Sequence, residues 1–150
     1  MRVRRTGEVR VALPPDRAIH KFTAEGEREW APGWAPEYPD ADTDAPGTVF
    51  TTAGHGVRTI WVILERTPLT AAYARVTPGV SAGTVSVALH PDGEHTIAEV
   101  TYDLTSLGDD AGLERFADGF EAMMGEWAHE IARATVRVAP LQEGRLPGDA

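Results

Sequence analysis

The feature that most constrains this chain is a run of β-rich segments separated by turns too short for any crossover. Residues 48–53, 57–66, 70–77, 83–90 and 95–104 are rich in β-branched and aromatic side chains, and the breaks between them are Gly54-His55-Gly56, Thr67-Pro68, Pro78-Gly79 and Pro91-Asp92-Gly93. Glycine, proline and aspartate at such positions make tight turns, which join antiparallel neighbours. A parallel pair would need a connection of roughly a dozen residues or more. The central third of the chain is therefore an antiparallel meander.

The flanks complete the layout. Val9, Val11 and Leu13 alternate with Glu8, Arg10 and Ala12, the period of a strand with one wet face, and Pro14-Pro15 ends it. This predicts a first strand over residues 3–13. Asp16 and Thr23 can each cap a short helix, the second ending at Pro32-Gly33. Residues 31–47 carry Pro32, Pro36, Pro39 and Pro46 with Asp40, Asp42 and Asp44, the composition of a surface loop in which residues 34–38 could add one more short strand. Near the other end Leu113, Phe116, Ala117, Phe120, Met124, Trp127 and Ile131 recur at spacings of three and four. One amphipathic helix over 109–135 follows, capped by Ser106 with Asp109, and its length of about 40 Å is enough to cross a sheet. After Val138 the periodicity is lost, so residues 1–138 read as a single domain and 139–150 as a flexible tail.

Composition removes several classes of function. The chain of 150 residues, 42% of them apolar, is long enough to bury one core. Its 14 basic and 23 acidic residues leave a net charge of −9, which argues against nucleic acid as a partner. Without cysteine there is no disulfide framework, thiolate nucleophile or cysteine-ligated metal. No stretch matches a membrane span or a secretory signal, so membrane insertion is not expected and the expected location is cytoplasmic.

The segments Trp30-Ala31-Pro32-Gly33-Trp34, Thr59-Ile60-Trp61-Val62, Tyr73-Ala74-Arg75-Val76-Thr77-Pro78-Gly79 and Thr101-Tyr102-Asp103-Leu104, set in this layout, resemble the START-related SRPBCC superfamily. Within it the chain is most similar to the bacterial polyketide cyclase/dehydrase and lipid-transport group, over roughly residues 3–135. The resemblance implies an α+β helix-grip fold: a six- or seven-stranded antiparallel sheet wrapped around a long carboxy-terminal helix, with two short helices after the first strand. These motifs are structural, so they license fold better than chemistry.

Strand parity then sorts the faces. Glu99 and Asp103 share a face with Thr101, which turns Ala98, Val100, Tyr102 and Leu104 toward the helix, and the same parity turns Val85, Val87 and Leu89 inward. In residues 57–66 both faces are apolar and parity does not decide; the resemblance implies that Trp61 points inward. Phe50, Trp61, Tyr73 and Tyr102 from the sheet, with Phe116, Phe120 and Met124 from the helix, are then expected to line a cavity or simply to fill the core. Arg75 shares parity with Tyr73 and enters the cavity if Tyr73 does, paired with an acidic ligand or with Glu121. Trp30 is expected to anchor the proline-rich loop and Trp34 to rim the cavity mouth.

Chemical motifs are otherwise sparse. Gly54-His55-Gly56 precedes a strand where a phosphate loop would need a helix, so it reads as a hairpin turn. His90, Asp92, Glu94 and His95 share one turn, and nothing orients them toward a metal. His20 and His129 fall on helices, and Glu121 with Glu126 reads as a wet helix face. No catalytic residue, cofactor or metal is assigned. The expected partner is a hydrophobic small molecule bound or carried by a monomer or homodimer. The alternatives are a polyketide aromatase/cyclase working in the same cavity and a protein-binding cofactor without ligand.

Overall fold

The computed structural model describes the backbone of residues 1–54 and 56–148 and the side chains of residues 1–54 and 56–135. His55 of the first hairpin and the tail expected over 139–150 lie outside the described side chains. Strand β1 (Arg2–Val11) is followed by helix α1 (Pro15–Ala18), which runs into a 3-10 turn (Ile19–Phe22), and by a second 3-10 turn (Gly26–Glu29). After the loop come β2 (Val49–Gly54), β3 (Val57–Arg66), β4 (Thr70–Thr77), β5 (Ser81–Asp92) and β6 (His95–Ser106), then helices α2 (Ala111–Asp118) and α3 (Phe120–Gly148).

The strands form one six-stranded sheet in the order β1-β6-β5-β4-β3-β2, every pair antiparallel. Consecutive strands of the meander are neighbours, as their short turns require, and β1 closes against β6. Residues 34–38 do not form a seventh strand. Glu37 makes a single bridge to Thr51, its N–H donating to the Thr51 carbonyl at 2.9 Å and its own carbonyl accepting from Thr51 at 2.8 Å. Pro36 and Pro39 flank it, and proline has no N–H with which to extend a ladder.

One sheet face carries the core: Val9 and Val11 of β1, Phe50 of β2, Trp61 and Ile63 of β3, Ala71 and Tyr73 of β4, Val85, Val87 and Leu89 of β5, and Ala98, Val100, Tyr102 and Leu104 of β6. The alternation within β5 and β6 is the one that parity demands, and Trp61 points inward. In β3 the register slips between Ile63 and Glu65, a bulge at Leu64, whose side chain is exposed.

The single helix expected over 109–135 is broken at Gly119. Glycine has the weakest hold on helical dihedrals of any non-proline residue, and here it sits at φ −91°, ψ 1° between α2 and α3. The break keeps its backbone bonds, because the Gly119 N–H donates to the Arg115 carbonyl and the Met123 N–H to the Gly119 carbonyl, both at 3.0 Å. Ser106 is likewise not a helix cap. It ends β6 and its hydroxyl donates to Asp110 Oδ1 at 2.5 Å, while Asp109 Oδ1 accepts from the Ala111 N–H at 3.1 Å.

Helix α3 packs over β1 at Gly7. A Cβ at that position would lie 2.9 Å from Phe120 Cε2 and 2.9 Å from Met124 Cγ. The missing side chain lets the helix come down onto the strand.

Candidate functional site

Away from Gly7 the layers separate. On the inner face of β4 the order is Ala71, Tyr73, Arg75, Thr77; Trp61 stands beside Arg75 in register and Phe50 beside Trp61. Val85 is registered with both Tyr73 and Tyr102, so a row of large side chains crosses the sheet opposite the helices. Phe50 and Trp61 stack at 5.8 Å, Tyr73 meets both edge-on at 6.1 Å, and Trp34 closes edge-on over Trp61 at 5.7 Å. On the helix side Tyr102 lies 5.0 Å from Phe116 and 6.4 Å from Trp127, which meets Trp30 at 5.4 Å.

Between these groups is a cavity of about 460 Å3 lined by Phe22, Glu27, Ala31, Trp34, Phe50, Trp61, Tyr73, Arg75, Val85, Val87, Tyr102, Phe116, Met123 and Trp127. A second hollow of about 430 Å3 adjoins it, lined by residues 31–34 with Thr52, Gly54, Val57, Thr59, Trp61, Arg75, Thr77 and Val80. Ala31, Trp34, Trp61 and Arg75 border both. The proline-rich loop thus covers the passage between an apolar inner chamber and an outer one edged by threonine hydroxyls. Trp30 is buried and donates from Nε1 to the Lys21 carbonyl at 2.8 Å; Trp34 is partly exposed and donates to the Ala24 carbonyl at 2.7 Å.

Of the residues expected to line the cavity, Trp34, Phe50, Trp61, Tyr73, Arg75, Val85, Val87, Tyr102 and Phe116 do so. Phe120 and Met124 do not. Both are buried against β1 at Gly7, and the neighbouring positions Met123 and Trp127 face the cavity instead. At roughly 100° per residue, the cavity-facing direction lies about 60° round the helix from the expected one.

Phe22, Ala31, Met123 and Trp127 line the cavity without having been expected there, and so does Glu27, its one acidic residue. Glu27 belongs to a 3-10 turn, in which side chains three apart eclipse one another, so it falls in line with the buried Trp30 that closes the turn. A period of three, applied there in place of 3.6, picks it out. Gly26 fixes the turn: a Cβ on it would lie 1.6 Å from the His20 carbonyl oxygen. The flanking acids point elsewhere, Glu25 to Arg28 and Tyr38, and Glu29 to Lys21 and His20.

The electrostatics are asymmetric. Burial pushes the Glu27 carboxyl up to about 8, with no hydrogen bond or cation among the described residues offsetting it. Burial also raises the Tyr73 and Tyr102 phenols, and the Tyr73 hydroxyl donates to the Phe22 carbonyl at 2.6 Å. Arg75 is lowered by burial; its guanidinium lies 5.6 Å from the Trp61 ring centroid and reaches Ser81 Oγ at 3.4 Å. Glu121, the expected protein partner of Arg75, is exposed on α3, and no ion pair to Arg75 forms among the described residues. Those residues also hold no cluster of three or more histidine, aspartate or glutamate side chains suited to a metal, and none of their helices is long and apolar enough to cross a membrane.

No protein-family model and no curated protein matches the chain. Solved structures do. Ara h 8.0201 superposes with a TM-score of 0.65 at 13% identity, covering 89% of this chain and 99% of its own. CalU16 from Micromonospora echinospora gives 0.62 at 18% identity over 93% and 92% of the two chains. The chain has the helix-grip fold. A third helix-grip neighbour, norcoclaurine synthase from Thalictrum flavum in complex with dopamine and hydroxybenzaldehyde, gives 0.64 at 9% identity over 91% and 88%. Identities this low speak for the fold alone.

Proposed function

We propose that this helix-grip chain binds a small, largely apolar molecule in the chamber between the sheet and helices α2 and α3. The observation that carries this reading is the chamber itself. Its volume of about 460 Å3 lies within the ordinary range of ligand sites, and its walls are mostly aromatic and aliphatic, broken by the carboxyl of Glu27 and the guanidinium of Arg75. A domain of this size has no structural need to hold large aromatic side chains apart around a void, because close packing of the same side chains is more stable. That a neighbour of the same fold was solved with two small aromatic molecules supports the reading by analogy.

The test is titration with a neutral lipophilic fluorophore, N-phenyl-1-naphthylamine, followed by probe emission and tryptophan quenching. Saturable one-to-one binding is expected, abolished by Val87→Trp, which fills the chamber from β5. Absence of saturable binding, or binding indifferent to the filled chamber, refutes the reading.

Glu27 favours a second reading, an enzyme of the cyclase type. A carboxyl held near 8 can exchange protons with a bound substrate near neutral pH, and general acid–base catalysts are tuned into that range. Turnover of a bound carbonyl compound that is lost in Glu27→Gln with binding retained distinguishes the enzyme from the carrier.

A further inference from the structure

The two polar poles of the chamber are placed differently with respect to water. Arg75 borders both the inner chamber and the outer hollow, where Thr52, Thr59 and Thr77 supply hydroxyls, whereas Glu27 borders the inner chamber alone. The guanidinium is held over Trp61 and meets Ser81 Oγ at 3.4 Å, and no other hydrogen bond from it forms among the described residues. A half-buried cation without an acidic partner is costly, and a ligand anion at the passage would offset that cost. An apolar body attached to that anion would extend inward over Phe50, Tyr73 and Val87.

We propose that the ligand is an apolar organic acid bound as its anion, head outward, with Arg75 as its counter-ion and Glu27 as an inner gate on its binding. The inference rests on the chamber-binding reading above. Across the chamber from Glu27 stand Tyr73 and Arg75 of β4 and Tyr102 of β6; α2 and α3 present only Phe116, Met123 and Trp127, and the turn Ile19–Phe22 presents Phe22. Both phenols are raised by burial and stay neutral, and arginine keeps its charge. Glu27 is thus the one lining group whose charge changes between mildly acidic and mildly basic solution. Uncharged, it leaves the chamber with a single positive charge. Ionised, it brings the net charge of the lining to zero, so that a ligand anion entering the chamber meets a carboxylate as well as the guanidinium.

The experiment compares 2-naphthoic acid, ionised throughout the range used, with its uncharged methyl ester by calorimetry at pH 6.5 and pH 9.5. In the unmodified protein the acid is expected to bind about tenfold tighter than the ester at the lower pH, a preference that falls severalfold at the higher one. Arg75→Met should abolish the preference, acid and ester then binding alike in that variant, and Glu27→Gln should make the preference independent of pH. Equal affinity for acid and ester at pH 6.5 overturns the assignment and leaves chamber binding standing. A preference that does not change with pH in the unmodified protein overturns the gate. If neither compound binds and N-phenyl-1-naphthylamine does not bind either, the chamber-binding reading fails and this inference with it.

Discussion

Replacing Glu27 by glutamine tests the electrostatics of the chamber without any ligand. A carboxyl raised in the folded protein binds its proton more tightly there than in the unfolded chain. Between its ordinary value of 4.5 and its folded value of about 8 the folded state therefore holds the larger share of the proton, and stability falls as pH rises through that window. Below about 4.5 the penalty is absent, and above about 8 it is complete. At about 1.4 kcal/mol for each pH unit the ceiling is roughly 5 kcal/mol. Glu27 is not fully enclosed, and water entering the chamber screens it, so a penalty of about 2 to 4 kcal/mol is the expected size. Glutamine keeps the shape and cannot ionise. Urea unfolding of both proteins at pH 4.5, 6, 7.5 and 9 should give similar stabilities at the acidic end, with Glu27→Gln pulling ahead as pH rises until the difference levels off. Subtracting one curve from the other removes every other titrating group common to the two. Parallel curves, with no growing advantage for glutamine, would mean that Glu27 titrates like a solvated carboxylate, and the reasoning from burial would be wrong.

Packing and rim give further expectations. Gly7→Ala should cost about 1 to 3 kcal/mol in urea unfolding, because the new methyl meets both Phe120 and Met124. Phe120→Ala should cost about 3 to 5 kcal/mol and leave probe binding in place, since Phe120 is buried outside the chamber; a loss of binding with the fold intact would contradict that placement. Tyr73→Phe leaves the Phe22 carbonyl without its buried donor and should lower stability by about 1 to 3 kcal/mol, measured in the same way. With the other tryptophans replaced, the emission of Trp34 should respond to N-phenyl-1-naphthylamine; an unresponsive Trp34 alongside a probe that binds removes it from the chamber wall.

What the sequence made legible follows from which interactions are local. Tight turns dictate antiparallel neighbours, so the meander was readable before any packing was known, and period-two alternation named the inward residues of β5 and β6. Alternation failed in β3, where Ile60, Val62 and Leu64 oppose Trp61 and Ile63, because both faces are apolar and only contacts from distant segments decide. It also reaches no further than a face. Whether an inward side chain meets another side chain or a void depends on how far the helix stands from each strand, a distance set at Gly7. There α3 seats Phe120 and Met124 on β1, and that contact turns Met123 and Trp127 toward the wider space over β3 and β4. A rotation of about 60° is invisible to a hydrophobic stripe about 100° wide, which is why the helix is legible in the sequence and its cavity face is not. Glu27 escaped for a related reason: among Glu25, Glu27 and Glu29 it is the 3-10 geometry, pinned by Gly26 against the His20 carbonyl, that turns one acid inward and leaves two in water. The two glycines therefore shape the site from outside its lining, one letting the layers close where the core is filled and the other holding the turn that carries the chamber's carboxyl.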